Sequence, residues 1–238
     1  PKETECTLAS MGVYIFRRDT LIKLLQEDRE NPDSSHDFGR DIFPRLIALT
    51  DVGAHPYEGY WQDIGTLQAF YEDNLKLLDP VHSRHLNQRD WPIRTPSVDA
   101  PPVRIQGKTT TKHSLIANGA VVRGYVENSI LFPGVTVEPG AVVRDSILMN
   151  DVHVGSDAHV HKAIMDKRVR VGARSTVGAE GDGPANRKVP DLLYSGITVM
   201  GKDTSVGDEA HIGRNVVLGG RQTVDHGGEV SDGSYVTE

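Results

Sequence analysis

The chain has 238 residues, room for one large domain or two ordinary ones of about 150 residues each, and enough to bury a core without disulfide or metal staples. Its 26 basic and 33 acidic side chains leave a net charge of −7, which argues against a nucleic-acid binder or a protein held on an anionic membrane. The single cysteine, Cys6, excludes an intrachain disulfide framework and fits a reducing, cytoplasmic setting, and no apolar run nears the ~20 residues of a membrane helix. No signal-peptide pattern opens the chain, which begins at Pro1 without a methionine and reads as a fragment.

Residues 7–16 (TLASMGVYIF) are rich in β-branched and aromatic side chains and predict a strand. Asp19 then stands as an N-cap before Leu21, Leu24 and Leu25, the apolar face of a helix running to about residue 30. Turn formers crowd 31–39 (NPDSSHDFG) and predict a loop, followed by a second helix over 41–50 with Ile42, Leu46 and Leu49 on one face. Residues 51–60 read as extended, and Gly65-Thr66 starts a third helix through Leu67, Phe70 and Leu78. This half is α/β in character but holds too few strands for a complete doubly wound sheet. Pro92, Pro96, Pro101 and Pro102 resist helix and central strand alike. They place a boundary between a domain over 1–97 and another over 98–238.

The second half repeats. A branched apolar residue, then a small one four positions on, then another branched apolar residue recurs as Val137, Ala141, Val143, as Val154, Ala158, Val160, and as Val171, Ser175, Val177, at a 17-residue spacing. Ile130, Ile147 and Ile164 keep the same interval, and Ile116, Ala120, Val122 and Val206, Ala210, Ile212 flank the regular part. Steps of six within a longer turn are the signature of hexapeptide β-helix repeats, in which each coil buries its apolar column only against its neighbours. Residues 179–196 interrupt the pattern as a loop, and weaker coils from Ile197 trail into a Gly-rich tail over 219–233.

Among candidate chemical residues, Asp63 lies between an aromatic strand end and a helix start, as an N-cap or as a metal ligand. The segment from Ser34 to Gly39 reads as a solvated turn or a sugar-binding loop.

The segments LASMGVYIF (8–16), HDFG (36–39), GYWQDIGT (59–66) and WPIRT (91–95), followed by hexapeptide coils, resemble the bacterial glucose-1-phosphate adenylyltransferase (ADP-glucose pyrophosphorylase) family over roughly 7–178. The resemblance implies the C-terminal part of a Rossmann-like nucleotidyltransferase domain followed by a left-handed parallel β-helix. It implies synthesis of ADP-glucose and pyrophosphate from ATP and glucose 1-phosphate with Mg²⁺, in allosterically regulated homotetramers. Carried over by position, the glucose 1-phosphate pocket takes Ser10, Tyr14, Asp37, Phe38, Trp61 and Asp63, the last also a ligand of Mg²⁺. Hydroxyl and carboxylate groups suit sugar hydroxyls and phosphate, aromatic faces suit a pyranose, and a carboxylate suits a hard cation that keeps its waters. The family's Gly-rich ATP loop and catalytic groups lie upstream of Pro1, so no catalytic residue is assigned within this chain and ATP is met through the absent half. The coils beyond 196 extend past the family's usual end.

Two other readings compete. In a hexapeptide acyltransferase a β-helix histidine acts as base; His153, His159, His161 and His211 keep that reading open, and His159 and His161 share a strand face on which a metal would fit. In a non-catalytic regulatory or oligomerisation subunit, the open solenoid ends pair with partners. Arg168 and Arg170, with Arg174, Arg187 and Lys188 nearby, form a candidate site for an anionic effector.

Overall fold

A computed structural model describes residues 8–49, 52–95 and 98–237. The chain forms two compact units, Pro1–Asp63 and Ile64–Glu238.

In the first unit, helix α1 spans Arg18–Arg29 with Arg17 at its N-cap, so Asp19 lies in the first turn and does not cap it. Leu24 packs with Ile42 and Leu46 in a small core joined by Phe16, Phe38 and Phe43. The second helical stretch begins earlier than expected, as a π-helical turn over Phe38–Ile42 that runs into α2, Phe43–Leu49. Asp37 starts it by accepting the Arg40 amide at 2.8 Å, which removes Phe38 and Gly39 from the expected loop. Thr7, Thr50 and Asp51, at the ends of expected elements, lie outside the described residues.

The strand expected over 7–16 is not formed in residues 8–16, and no strand precedes Arg104 among the described residues. Val13 and Ile15 are 76% and 99% exposed. β-Branched content shows that a segment fits a pleated surface, but a ladder also needs a partner to take its N–H and C=O groups. Here the described residues supply none, and helices alone carry this half.

The second unit opens with α3, Leu67–Lys76, and α4, Pro80–Leu86. Thr66 caps α3 where Gly65-Thr66 predicts, its hydroxyl accepting the Ala69 amide at 3.1 Å. Thr66→Ala is expected to cost about 1 kcal/mol locally, read as faster amide exchange at Ala69. Sequence reading missed α4, although Asp79 caps it and Pro80 takes the first helical position. By contacts this unit starts at Ile64, well ahead of the proline-marked boundary near 97, because α3 packs on the solenoid. The Tyr71 hydroxyl donates to the Asp145 carbonyl at 2.6 Å, and its ring lies in a cluster with Ile147, Ile164, Leu193 and Ile197.

From Arg104 to Val236 the chain winds into three seven-stranded parallel sheets, the faces of a β-helix. Val137, Val154 and Val171 stack in register and are buried, as are Ala141, Ala158 and Ser175 at the turns. Ile130, Ile147 and Ile164 also stack. Their column faces outward, however: Leu131, Leu148 and Met165, one position on, fill the interior, while Ile147 and Ile164 meet α3 and the 179–196 loop.

That loop is pinned by two buried asparagines. Asn215 donates to the carbonyls of Asp182 and Pro184, and its own carbonyl accepts the Gly196 amide. Asn186 donates to the carbonyls of Asn215 and Ser234. The later coils do not trail off; they continue to Val236, with Val206 on Val224 and Val217 on Tyr235. Their glycines reflect tight stacking, since a β-carbon at Gly207 would lie 2.6 Å from the His226 amide of the next coil. Corner residues take left-handed backbone, and along one edge Asp151, Arg168, Asp203 and Arg221 follow from coil to coil with alternating charge, at φ 60°, 60°, 63° and 63°.

Candidate functional site

The six pocket residues implied by the resemblance all fall in the first unit. Gly12 adopts φ +71° and donates its amide to the Ser10 hydroxyl at 3.2 Å, turning the chain so that this hydroxyl lies 3.0 Å from that of Tyr14. The Tyr14 ring stacks on Phe38 at 5.9 Å between centroids and meets Phe43 at 4.3 Å. Ser10, Tyr14 and Phe38 are thereby brought together, with Asp37 next in the chain.

Asp37 spends one carboxylate oxygen on the Arg40 amide, and the other has no protein partner among the described residues. Its backbone amide donates to Asp41, whose carboxylate also takes the Ser35 amide at 3.1 Å and the Ser35 hydroxyl at 2.6 Å. The Ser35 hydroxyl, then the Asp37 amide, hold the Asp41 carboxyl below its ordinary range. Sequence reading missed the part played by Asp41 and Phe43, since a carboxylate two residues past the expected loop looks like any surface charge.

Trp61 is 44% exposed and makes no ring contact with the aromatic cluster among the described residues. Just ahead of it Tyr57 folds back to donate to the Tyr60 carbonyl at 3.3 Å, and its ring passes where a β-carbon at Gly59 would stand. A side chain at position 59 would therefore have to displace the Tyr57 ring. Asp63 is exposed and caps no helix, because Thr66 performs that task. No group of three histidine, cysteine or acidic side chains able to hold a metal occurs among the described residues. An exposed carboxylate such as Asp63 would serve Mg²⁺ as one ligand of an ion that otherwise keeps its waters.

The solenoid's charged side chains mostly serve neighbouring coils. Arg168 grips Asp203 through two bonds of 2.6 and 3.0 Å, and Arg174 pairs with Glu209. Both partners lie 35 residues on, across the inserted loop and out of sight of local sequence reading. His153 faces Glu138 at 3.5 Å, His161 faces Asp145 at 3.2 Å, and His211 bonds the Thr176 hydroxyl at 2.8 Å. No helix among the described residues is long and apolar enough to cross a membrane.

A nucleotidyl transferase family model matches residues 1–80, and a model of the GlmU-like C-terminal hexapeptide matches 103–200. A protein of Thermosipho africanus is 39% identical over 99% of this chain and 57% of its own length. One of Thermomicrobium roseum is 42% identical and one of Acetivibrio thermocellus 39%, each over 92% of this chain and 51% of the relative. All three are named glucose-1-phosphate adenylyltransferase.

The chain is a homologue of the glucose-1-phosphate adenylyltransferases. It spans about half the length of the curated relatives it matches. The similarity to the Thermosipho adenylyltransferase reaches 99% of the chain, so it takes in coils beyond 196 that the motif resemblance left out. A nucleotidyl transferase part followed by hexapeptide coils is the fold order that the motifs imply.

Proposed function

We propose that this chain supplies the sugar-phosphate side of an adenylyl-transfer site, in a protein that makes ADP-glucose and pyrophosphate from ATP and glucose 1-phosphate for glycogen synthesis. The observation that carries the reading is the convergence of Ser10, Tyr14 and Phe38, with Asp37 beside them, in a chain whose relatives bear the name of that reaction. In the reaction a phosphate oxygen of glucose 1-phosphate bonds to the α-phosphorus of ATP, and the bond to the β-phosphate breaks to release pyrophosphate. Ser10 donates to the phosphate or to a sugar hydroxyl, the unspent oxygen of Asp37 accepts from a sugar hydroxyl, and Tyr14, Phe38 and Trp61 offer aromatic faces to the pyranose. Positioning of this kind supplies much of the rate in phosphoryl transfer. Asp63 would hold Mg²⁺, which supplies neutralisation of phosphate charge when bound.

The same reading includes a cytoplasmic homotetramer regulated by anionic metabolites. Of the two arginines assigned to an effector, Arg168 is engaged by Asp203, and Arg170, which forms no salt bridge among the described residues, is the one such a ligand would meet. In a pyrophosphate-release assay with ATP, glucose 1-phosphate and Mg²⁺, the 238-residue chain is expected to show no turnover. Turnover is expected when it is joined to the ATP-binding half of the Thermosipho relative. Turnover by the chain alone, or none in the joined protein, would overturn the proposal.

A further inference from the structure

Asp28 is a carboxylate at the C-terminal turn of α1, only 3% exposed. Burial and the negative end of the helix dipole both disfavour a charge there, and an apolar residue would join the adjoining core of Leu24, Ile42 and Leu46 at less cost. Its two oxygens are both engaged, one by the Ser34 hydroxyl at 2.6 Å and the other by His36 Nδ1 at 2.8 Å. His36 is held at φ 58°, a left-handed conformation that a residue with a β-carbon seldom adopts. It immediately precedes Asp37 and Phe38. Asp41 in turn fixes the amides of Ser35 and Asp37. Residues 34–37 are thus held between two carboxylates, and the bond to Asp28 sets the turn from which Asp37 projects.

We propose that Asp28 is a positioning residue for the sugar-phosphate site, acting through Ser34 and the left-handed His36 to aim Asp37 and Phe38. The assignment rests on the reading of that site given above. The Ser34 hydroxyl, then His36, hold the Asp28 carboxyl below its ordinary range, so it remains an acceptor through neutral and mildly acidic pH.

The test compares the 238-residue chain with three single variants and one double variant. His36→Gly keeps the left-handed backbone at no steric cost but loses the bond, whereas His36→Asn tolerates that backbone and keeps a donor toward Asp28. Asp28→Ala removes the acceptor. Two quantities are read: glucose 1-phosphate binding by saturation-transfer NMR, and amide-exchange protection at Asp37 and Arg40. Asp28→Ala and His36→Gly are each expected to weaken binding about tenfold, the scale of a modest misplacement, and to lower protection. His36→Asn is expected to restore both, and the double variant Asp28→Ala/His36→Gly to be no weaker than either single one, as for two groups acting through one contact. Wild-type binding that His36→Gly or Asp28→Ala leaves unchanged, or additive losses in the double variant, would overturn the positioning role and leave the site standing. A wild-type chain that does not bind glucose 1-phosphate would overturn the site itself, and the positioning role with it.

Discussion

Leu148→Ala is expected to lower the stability of the solenoid by about 2–5 kcal/mol, the usual cost of emptying a buried leucine site. Leu148 is fully buried and belongs to the central apolar column. Its strand pairs with coils on both sides, Leu131 before and Met165 after, so closing the cavity would require rungs to approach that hydrogen bonds already hold apart. The defect also sits mid-stack, where each coil depends on two neighbours. Denaturant midpoints read the loss, with Ile105→Ala as the control because Ile105 is 55% exposed. A shift for Leu148→Ala no larger than the control's would mean that the column does not bear the stability assigned to it.

Asp37→Asn is expected to weaken glucose 1-phosphate binding by about 10- to 100-fold, the equivalent of the 1.5–3 kcal/mol typical of a charged hydrogen bond. Asparagine is as good an N-cap as aspartate, so the bond to the Arg40 amide survives and the helix start is kept. What changes is the charge on the second oxygen, which takes no protein hydrogen bond among the described residues. Titration calorimetry of the 238-residue chain measures the loss, and far-ultraviolet circular dichroism confirms that the helices persist. Equal binding by Asn and Asp would place the sugar phosphate elsewhere.

The solenoid was legible because its rule is local and repeated. Val137, Val154 and Val171 each announce the same place in a coil, and the spacing of the isoleucines gives the register. Which face the isoleucines occupy was not legible, because α3 and the 179–196 loop that cover Ile147 and Ile164 break no period in the repeats themselves. The first unit shows the opposite case. Residues 8–16 carry strand composition, yet Ile15 is 99% exposed, because a ladder depends on a partner that composition cannot name. At the site, Ser10, Tyr14 and Phe38 were reached through motifs and do converge, whereas Asp28 and Asp41 are ordinary acidic residues until the turn they hold is seen.

The corner columns carry a consequence for how the coils thread. Asp151, Arg168, Asp203 and Arg221 follow one another up one edge of the prism, so each sign rests on its opposite. A misthreaded chain that looped out the coil bearing Arg168 would set Asp151 against Asp203, and one that skipped Asp203 would set Arg168 against Arg221. Like charges so close repel, and the repulsion fades as salt screens it. Along this edge a skipped coil would therefore meet a penalty that concentrated salt reduces.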